Sequence, residues 1–462
     1  MRRSDRHSLW DLTLKTAPAE RWISDGSRQV VFGGLVEGSC LGVPPETLHG
    51  CSVLIACQDQ LPAVLAAIEL DGIARRILLC PPDLPASCLP AVLTDAQVDA
   101  IAWDGVSAAG READGQSVIA CGSELQPRSS AQASRSVETE WVLFTSGTTG
   151  QPKMVRHTLT SLSGPIDDGL VVASKAVWST FYDVRRYGGL QILLRALIGG
   201  GSMVLSRAEE PAGEFLLRAG KSGVTHISGT PSHWRRTLMS SFGHLMSPAY
   251  VRLSGEVADQ AILDQLRRAY PASSVAHAFA STEAGVAFDV RDGLAGFPAD
   301  YIGQPGAKVE MRVEDGTLHI RSSRTSTGYL GDHDRALRGP DGFVDTGDIV
   351  ERRGDRYYFN GRREGVINVG GLKVYPEEVE AVINQHPAVR MSRVWARSSP
   401  ITGALVAADV VLQANQESFA TLRAAIIDHC RRGLAAYKVP VSVRQVQSLE
   451  IAPSGKLMRH HA

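Results

Sequence analysis

Short apolar runs alternate with stretches of helical spacing along much of this chain, and that rhythm leaves few folds open to it. "CSVLIAC", from Cys51, reads as a buried strand. "LPAVLAAIELDG" carries apolar residues at helical spacing and stops at Gly72, and "RRILLC" is a strand again before "PPDLP" breaks it. "WVLFTSG", from Trp141, is a further apolar strand. The order then resumes with a helix over "LQILLRALIGGG", a strand at "SMVLS", a helix over "AGEFLLRAGKSG" and a strand at "VTHISGTP". Strand–helix–strand repetition of this kind predicts an α/β protein built on parallel, doubly wound sheets.

From about Gly303 the texture changes. "VEMRVEDGTLHIRSS" is two alternating runs across Asp315-Gly316, a hairpin signal, and "DGFVDTGDIVERRGDRYYFNGR" repeats it with turns at Asp341-Gly342 and Gly354-Asp355. A small antiparallel region over residues 303–361 is expected. Beyond Arg362 the order is helix ("VYPEEVEAVINQH"), strand ("MSRVWARS"), strand ("ALVAADVVL") and helix (418–434), which predicts a compact α+β lid. The expected division is 1–361 for a large N-terminal domain and 362–462 for a C-terminal lid domain.

Composition narrows the function classes. The 462 residues carry a formal net charge of −1, which argues against nucleic acid as the main partner. No apolar run approaches the ~18 residues of a membrane span. The seven cysteines include no CxxC pair, and several sit in apolar company. They read as reduced core thiols of a cytoplasmic protein rather than a disulfide framework or a zinc site.

The chemistry concentrates in "FTSGTTGQPK", Phe144 to Lys153. Gly147 and Gly150 let the backbone fold tightly with its N–H groups facing an anion. Thr145, Ser146, Thr148 and Thr149 add hydroxyl donors, and Lys153 adds a mobile point charge. Together these suit a polyphosphate. A Walker loop needs GxxxxGK followed by Ser or Thr, and that spacing is absent.

The ten-residue string resembles the phosphate-binding signature of the adenylate-forming (ANL) superfamily: acyl-CoA synthetases, the adenylation domains of peptide synthetases, and luciferases. The match holds until Met154, where a glycine is usual. Four further segments follow in the family's order, with a weaker fifth, "LSGEV", among them. "FASTEAG" resembles its aromatic-Gly-x-Thr-Glu segment. The resemblance implies that Phe279 flanks adenine, Thr282 touches the α-phosphate and Glu283 holds Mg2+; taken alone, Glu283 reads instead as a helix N-terminal acid after a Ser-Thr cap. "LSGEV" stands at the Gly-rich turn whose backbone meets adenine, which implicates Ser254, Gly255 and Glu256. "DTGD" resembles T-G-D and gives Asp348 the ribose hydroxyls, although such turns are common in hairpins. "GRREGVINVGGLKVYPEEVE" resembles the hinge segment. It implies that Arg362 joins ribose and phosphate, that Glu364 is the pivot in place of the usual aspartate, and that Gly370 and Gly371 line the path of pantetheine. "PSGKLMRH" resembles the segment bearing the catalytic lysine, here Lys456.

The resemblance implies ATP-dependent activation of a small-molecule carboxylic acid to an acyl-adenylate, then transfer to a thiol. The acceptor is coenzyme A or, alternatively, the phosphopantetheine of a carrier protein. An acyl pocket is expected between the first motif and the Phe279 segment. Tyr182, Tyr187, Gly188 and His226 are its candidate lining, with Trp178, Phe181 and Trp234 as further aromatics. Arg185 or Arg186 is a candidate partner for a second polar group on the substrate, and Asp183 is a candidate partner for an amino group.

Overall fold

A computed structural model describes residues 7–105, 112–113, 115–128, 134–145, 152–166, 175–207, 210–331, 336–413, 418–452 and 455–458. Two large sheets form the body. One has eight strands, and its parallel core runs from Ser274–Ser281 through Tyr250–Ser254, His226–Gly229, Val177–Thr180 and Ser202–Val204 to Trp22–Ser24. The other has nine strands, with Glu140–Thr145, Arg76–Leu79, Ser52–Ile55 and Ala100–Trp103 parallel in that order. The expected α/β class and doubly wound sheets are present.

The two sheets share a core. Val53, Ile77 and Leu143 from one pack in the same apolar cluster as Ile23, Trp178 and Met203 from the other. Helices Gln60–Leu70 and Tyr187–Ile198 belong to that cluster too. Every residue of Gln60–Leu70 is buried, as expected of a helix apolar on all sides. Its one carboxylate, Glu69, is fully buried and is satisfied by Arg128 (2.7 Å), Ser39 Oγ (2.8 Å) and the Cys40 N–H (2.6 Å). All seven cysteines are free thiols, most of them buried.

The antiparallel region is a five-stranded sheet. Its hairpin Val309–Glu314/Thr317–Ser322 turns through Asp315 (φ 48°) and Gly316 (φ 77°), the left-handed pair that a two-residue hairpin requires. The C-terminal sheet holds the expected strands, Val389–Ser399 and Gly403–Leu412, with helices Pro376–Ile383 and Phe419–Gly433 against it. It also holds three strands that alternation does not reveal: Ile367–Val369, Leu372–Val374 and Ser442–Gln445. Each is only three or four residues long, too short for a period-2 pattern to register. Among the described residues no helix is long and apolar enough to cross a membrane.

Two imidazoles, His157 buried and His233 half-buried, make the fold acid-sensitive. Burial pushes both His157 and His233 down to about 4. An unfolded ring titrates near 6.5, so the unfolded chain binds more protons between those values. Stability present above pH 6.5 is therefore lost as pH falls toward 4, by up to about 3 kcal/mol per ring. The melting temperature is expected to fall over that window, and His157→Gln should flatten the profile. An equally steep profile in the variant would remove His157 from the cause.

Candidate active site

Parallel strands direct their C-terminal ends to one edge of a sheet, and ligand sites in such folds lie at that edge. Ser254 closes the strand Tyr250–Ser254, and Gly255 turns sharply after it (φ 86°). The strand Ser274–Ser281 delivers Phe279 and then Thr282 and Glu283 to the same edge. A bulge between Phe279 and Ala280 re-aims that strand end. Phe279 stacks on Phe359, with ring centroids 4.9 Å apart and planes 10° apart, an aromatic layer suited to a flat base.

The antiparallel sheet approaches from another side. In its hairpin Val344–Arg353/Arg356–Arg362 the register sets Asp348 directly opposite Arg362. Two motifs read separately in the sequence thereby become one pair. Burial raises the Asp348 carboxyl to about 6, while the charges of Arg362 and Lys456 draw it back down. Lys456 stands deep in the same cleft, where the surrounding protein lowers its ammonium from the usual lysine value. Arg362 pushes the same way, and Asp348, Glu256 and Glu283 oppose it.

These groups line one cavity of about 1220 Å³. Thr145, Lys153, Gly255, Glu256, Phe279, Thr282, Glu283, Asp348, Arg362, Glu364 and Lys456 all border it. Ser146, Gly147, Thr148, Thr149 and Gly150 lie outside the described residues. Their flanks are held: Lys153 pairs with Thr145 across the hairpin, and its Nζ stands 5.6 Å from the centre of the Tyr329 ring. Thr145 Oγ1 is buried with no hydrogen-bond partner among the described residues, a donor without an acceptor at the mouth of the loop. Met154, where the family has glycine, is a buried strand residue opposite Phe144 and Leu330. A side chain is accommodated there because the chain is already extended.

The described residues include no cluster of three His, Cys, Asp or Glu side chains able to hold a metal. Glu283 instead stands as one carboxylate on the cavity wall that Thr145 and Lys153 also border, the sparse protein ligation that Mg2+ uses when substrate phosphates and water complete its shell. Sequence reading missed a support for this acid. The buried His157, on the strand leaving the loop, hydrogen-bonds the Thr282 carbonyl through Nε2 (2.7 Å) and Ser161 Oγ through Nδ1 (3.0 Å). The Glu283 carbonyl also accepts from the Ser326 N–H at 2.9 Å. A histidine four residues past Lys153 was the available signal, but its partner is 125 residues away.

Glu364 is exposed in a short turn at Arg363–Gly365. Gly370 and Gly371 adopt φ of 58° and 87° between two short strands, outside the cavity walls. Asn368, where the family often has lysine, fastens that turn by accepting from the Gly371 N–H at 2.8 Å.

The acyl-pocket candidates take positions apart from this cavity. His226 opens its strand, at the opposite end from the cavity, and its ring packs between Trp178 and Tyr250. Trp178 and Trp234 are core side chains. Tyr182 is buried with its hydroxyl donating to the Ser254 carbonyl at 2.7 Å, and Gly188 lies against its ring. Tyr187 is buried against His157. None of Tyr182, Tyr187, Gly188 or His226 borders the cavity. Arg185 is fully buried and spends its donors on Asp183, at 2.5 and 2.8 Å, and on the carbonyls of Cys57 and Gln58. Arg186 pairs with Asp83. Arg186 is thus turned to Asp83, while Asp183 and Arg185 pair with each other. Their adjacency in sequence concealed that they satisfy one another.

Residues 50–330 match the AMP-binding enzyme family, and residues 378–456 match the C-terminal domain of AMP-binding enzymes. The chain belongs to the AMP-binding enzyme family. Among relatives of this AMP-binding enzyme, a 2-succinylbenzoate–CoA ligase of Listeria innocua is 28% identical over 340 residues, 70% of this chain and 69% of that protein. The ligase of the same name from Geobacillus kaustophilus is 26% identical over 473 residues, 95% and 93% of the two chains. Among solved structures, the anthranilate CoA ligase AuaEII in complex with anthranoyl-AMP superposes with a TM-score of 0.78 at 19% identity, covering 99% and 97% of the chains. The adenylate-forming resemblance is thus a family membership, and the fold is the family's fold.

Proposed function

We propose that this AMP-binding enzyme is an AMP-forming acid–thiol ligase that activates an aromatic carboxylic acid with ATP and transfers it to CoA. The observation that carries the reading is the convergence of Lys456, Asp348, Arg362, Glu283, Thr145 and Lys153 on one cavity, although the sequence spreads them over more than three hundred positions. The named relatives supply the aromatic class of acid and favour CoA over a carrier protein. A cytoplasmic location fits soluble substrates of this kind.

The chemical problem is charge, because a carboxylate must approach a polyanion. Lys456, Arg362 and Lys153 bring three cations to the wall of the cavity. Thr145 and Thr282 offer hydroxyls at the same mouth. Asp348, opposite Arg362, accepts from ribose hydroxyls, and the Phe279–Phe359 layer takes the base. Glu283 would hold Mg2+, which supplies charge neutralisation at the phosphates when bound. No general base is required, since the attacking carboxylate is ionised at neutral pH.

The second half-reaction needs the Gly370-Gly371 turn at the cavity, from which it is now remote. We assign residues 1–361 and 362–462 as the two moving units, with the pivot at Glu364. Pyrophosphate release across a panel of benzoates and aliphatic acids tests the first half, and thioester formation with free CoA tests the second. An aromatic acid should release pyrophosphate and yield a thioester. Absence of both with every acid would end the reading.

A further inference from the structure

Lys456 sits on a tight turn. The Ala452 N–H donates to the Lys456 carbonyl (2.8 Å), and the Gly455 N–H donates to the Ala452 carbonyl (2.7 Å). The Met458 N–H donates to the Glu450 carbonyl at 3.0 Å. Gly455 has φ of 80°, and a Cβ there would lie 2.3 Å from the His233 ring. The turn therefore presses its backbone onto the helix Pro231–Met239.

Two side chains from the opposite wall of the cleft grip the residues on either side of the lysine. Glu256 accepts from the Leu457 N–H through one oxygen (2.6 Å) and from the Ser232 N–H through the other (2.9 Å). The Thr230 hydroxyl donates to the Gly455 carbonyl at 2.7 Å while accepting from the His233 N–H at the start of the helix. Arg236 donates to the Leu449 carbonyl at 2.9 Å, further along the same segment. The contribution to adenine binding expected of the Ser254–Glu256 turn concerns its backbone. The Glu256 side chain has a different job, because both of its oxygens are committed to N–H groups. One of those belongs to the residue after Lys456.

We infer that Glu256 and Thr230 are positioning residues for Lys456: they clamp the backbone of residues 455–457 so that the ammonium is delivered to the nucleotide end of the cavity. The inference rests on the adenylate-forming reading above. A lysine side chain is long and loses much rotamer freedom when it is held in one place. Fixing its backbone at both neighbours confines that search to the side chain alone. The clamp exists only while the C-terminal segment faces the cleft, so loosening it should slow adenylation without slowing thioester transfer, which uses another pose.

The test measures the two half-reactions separately. Pyrophosphate release is followed with the best aromatic acid, and thioester formation is followed from a synthetic acyl-adenylate and CoA. Thr230→Val is expected to lower kcat of pyrophosphate release by about tenfold or more while thioester transfer stays within about twofold. Thr230→Ser, which keeps the hydroxyl, should restore the rate. Glu256→Gln should also lower pyrophosphate release, but should cost nothing further when added to Lys456→Ala, because a clamp without its lysine has nothing to position. Parallel loss of both half-reactions, failure of the serine variant to rescue, or multiplicative losses in the Glu256/Lys456 pair would overturn the assignment. A wild-type protein that releases no pyrophosphate with any acid would instead overturn the underlying reading.

Discussion

Lys456→Ala is expected to cut pyrophosphate release by about 10²–10³-fold, the loss typical of removing one preorganised charge-stabilising donor. Thioester formation from a supplied acyl-adenylate should persist. The reason is the company Lys456 keeps. It lies with Arg362, Asp348, Glu256 and Glu283 around one cavity, where an amine is the group free to meet charge building up on a reacting phosphate. Its removal has a second expected consequence. Lys456 helps Arg362 hold the Asp348 carboxyl down to about 6 against burial, so that carboxyl should rise further in the variant. Nucleotide affinity would then weaken progressively as pH falls through the raised value. Equal survival of both half-reactions in Lys456→Ala would mean that another cation does this work.

Asp289→Ala is expected to produce the largest loss of stability. Asp289 binds Arg252 at 2.8 Å, and Arg252 is only 3% exposed inside the strand Tyr250–Ser254. Removing one partner of a buried pair leaves an uncompensated charge, which costs about 3–5 kcal/mol. Arg195 stands near enough to Arg252 to repel it, so the stranded guanidinium would face a like charge as well. A large drop in melting temperature should follow. Double replacement by apolar residues, Arg252→Met with Asp289→Leu, should recover most of it, because the penalty lies in the unpaired charge. A melting temperature within a degree of wild type for Asp289→Ala would show that water reaches Arg252.

The layout of the site was partly legible. Phe279, Thr282, Glu283, Asp348, Arg362 and Lys456 stand in short motifs with distinctive local chemistry, and the structure gathers all of them at one cavity. The acyl-pocket candidates stand apart from that cavity, for a reason visible in particular residues. Tyr182, Tyr187, Trp178 and Trp234 are as often core as lining, and burial depends on neighbours that are remote in sequence. Asp183 and Arg185 carried charges that looked available and are spent on each other. The clamp on Lys456 joins Glu256 to the Leu457 backbone across 201 positions, and His157 reaches Thr282 across 125. No local pattern encodes either contact.

What the sequence determined by itself was the longer elements and the chemical vocabulary. Alternation, helical spacing, Asp-Gly and Gly-Asp turns and a hydroxyl-rich loop act over a few residues, and short-range physics is written in short strings. What only the tertiary structure decided was which of those groups face one another. Strand register placed Asp348 opposite Arg362, the shared carboxyl edge of parallel strands put Ser254 beside Ala278, just before Phe279, and docking of the C-terminal turn set the lysine among them. Such pairings follow from packing whole layers together, and that energy is summed over the entire core rather than carried by any one segment.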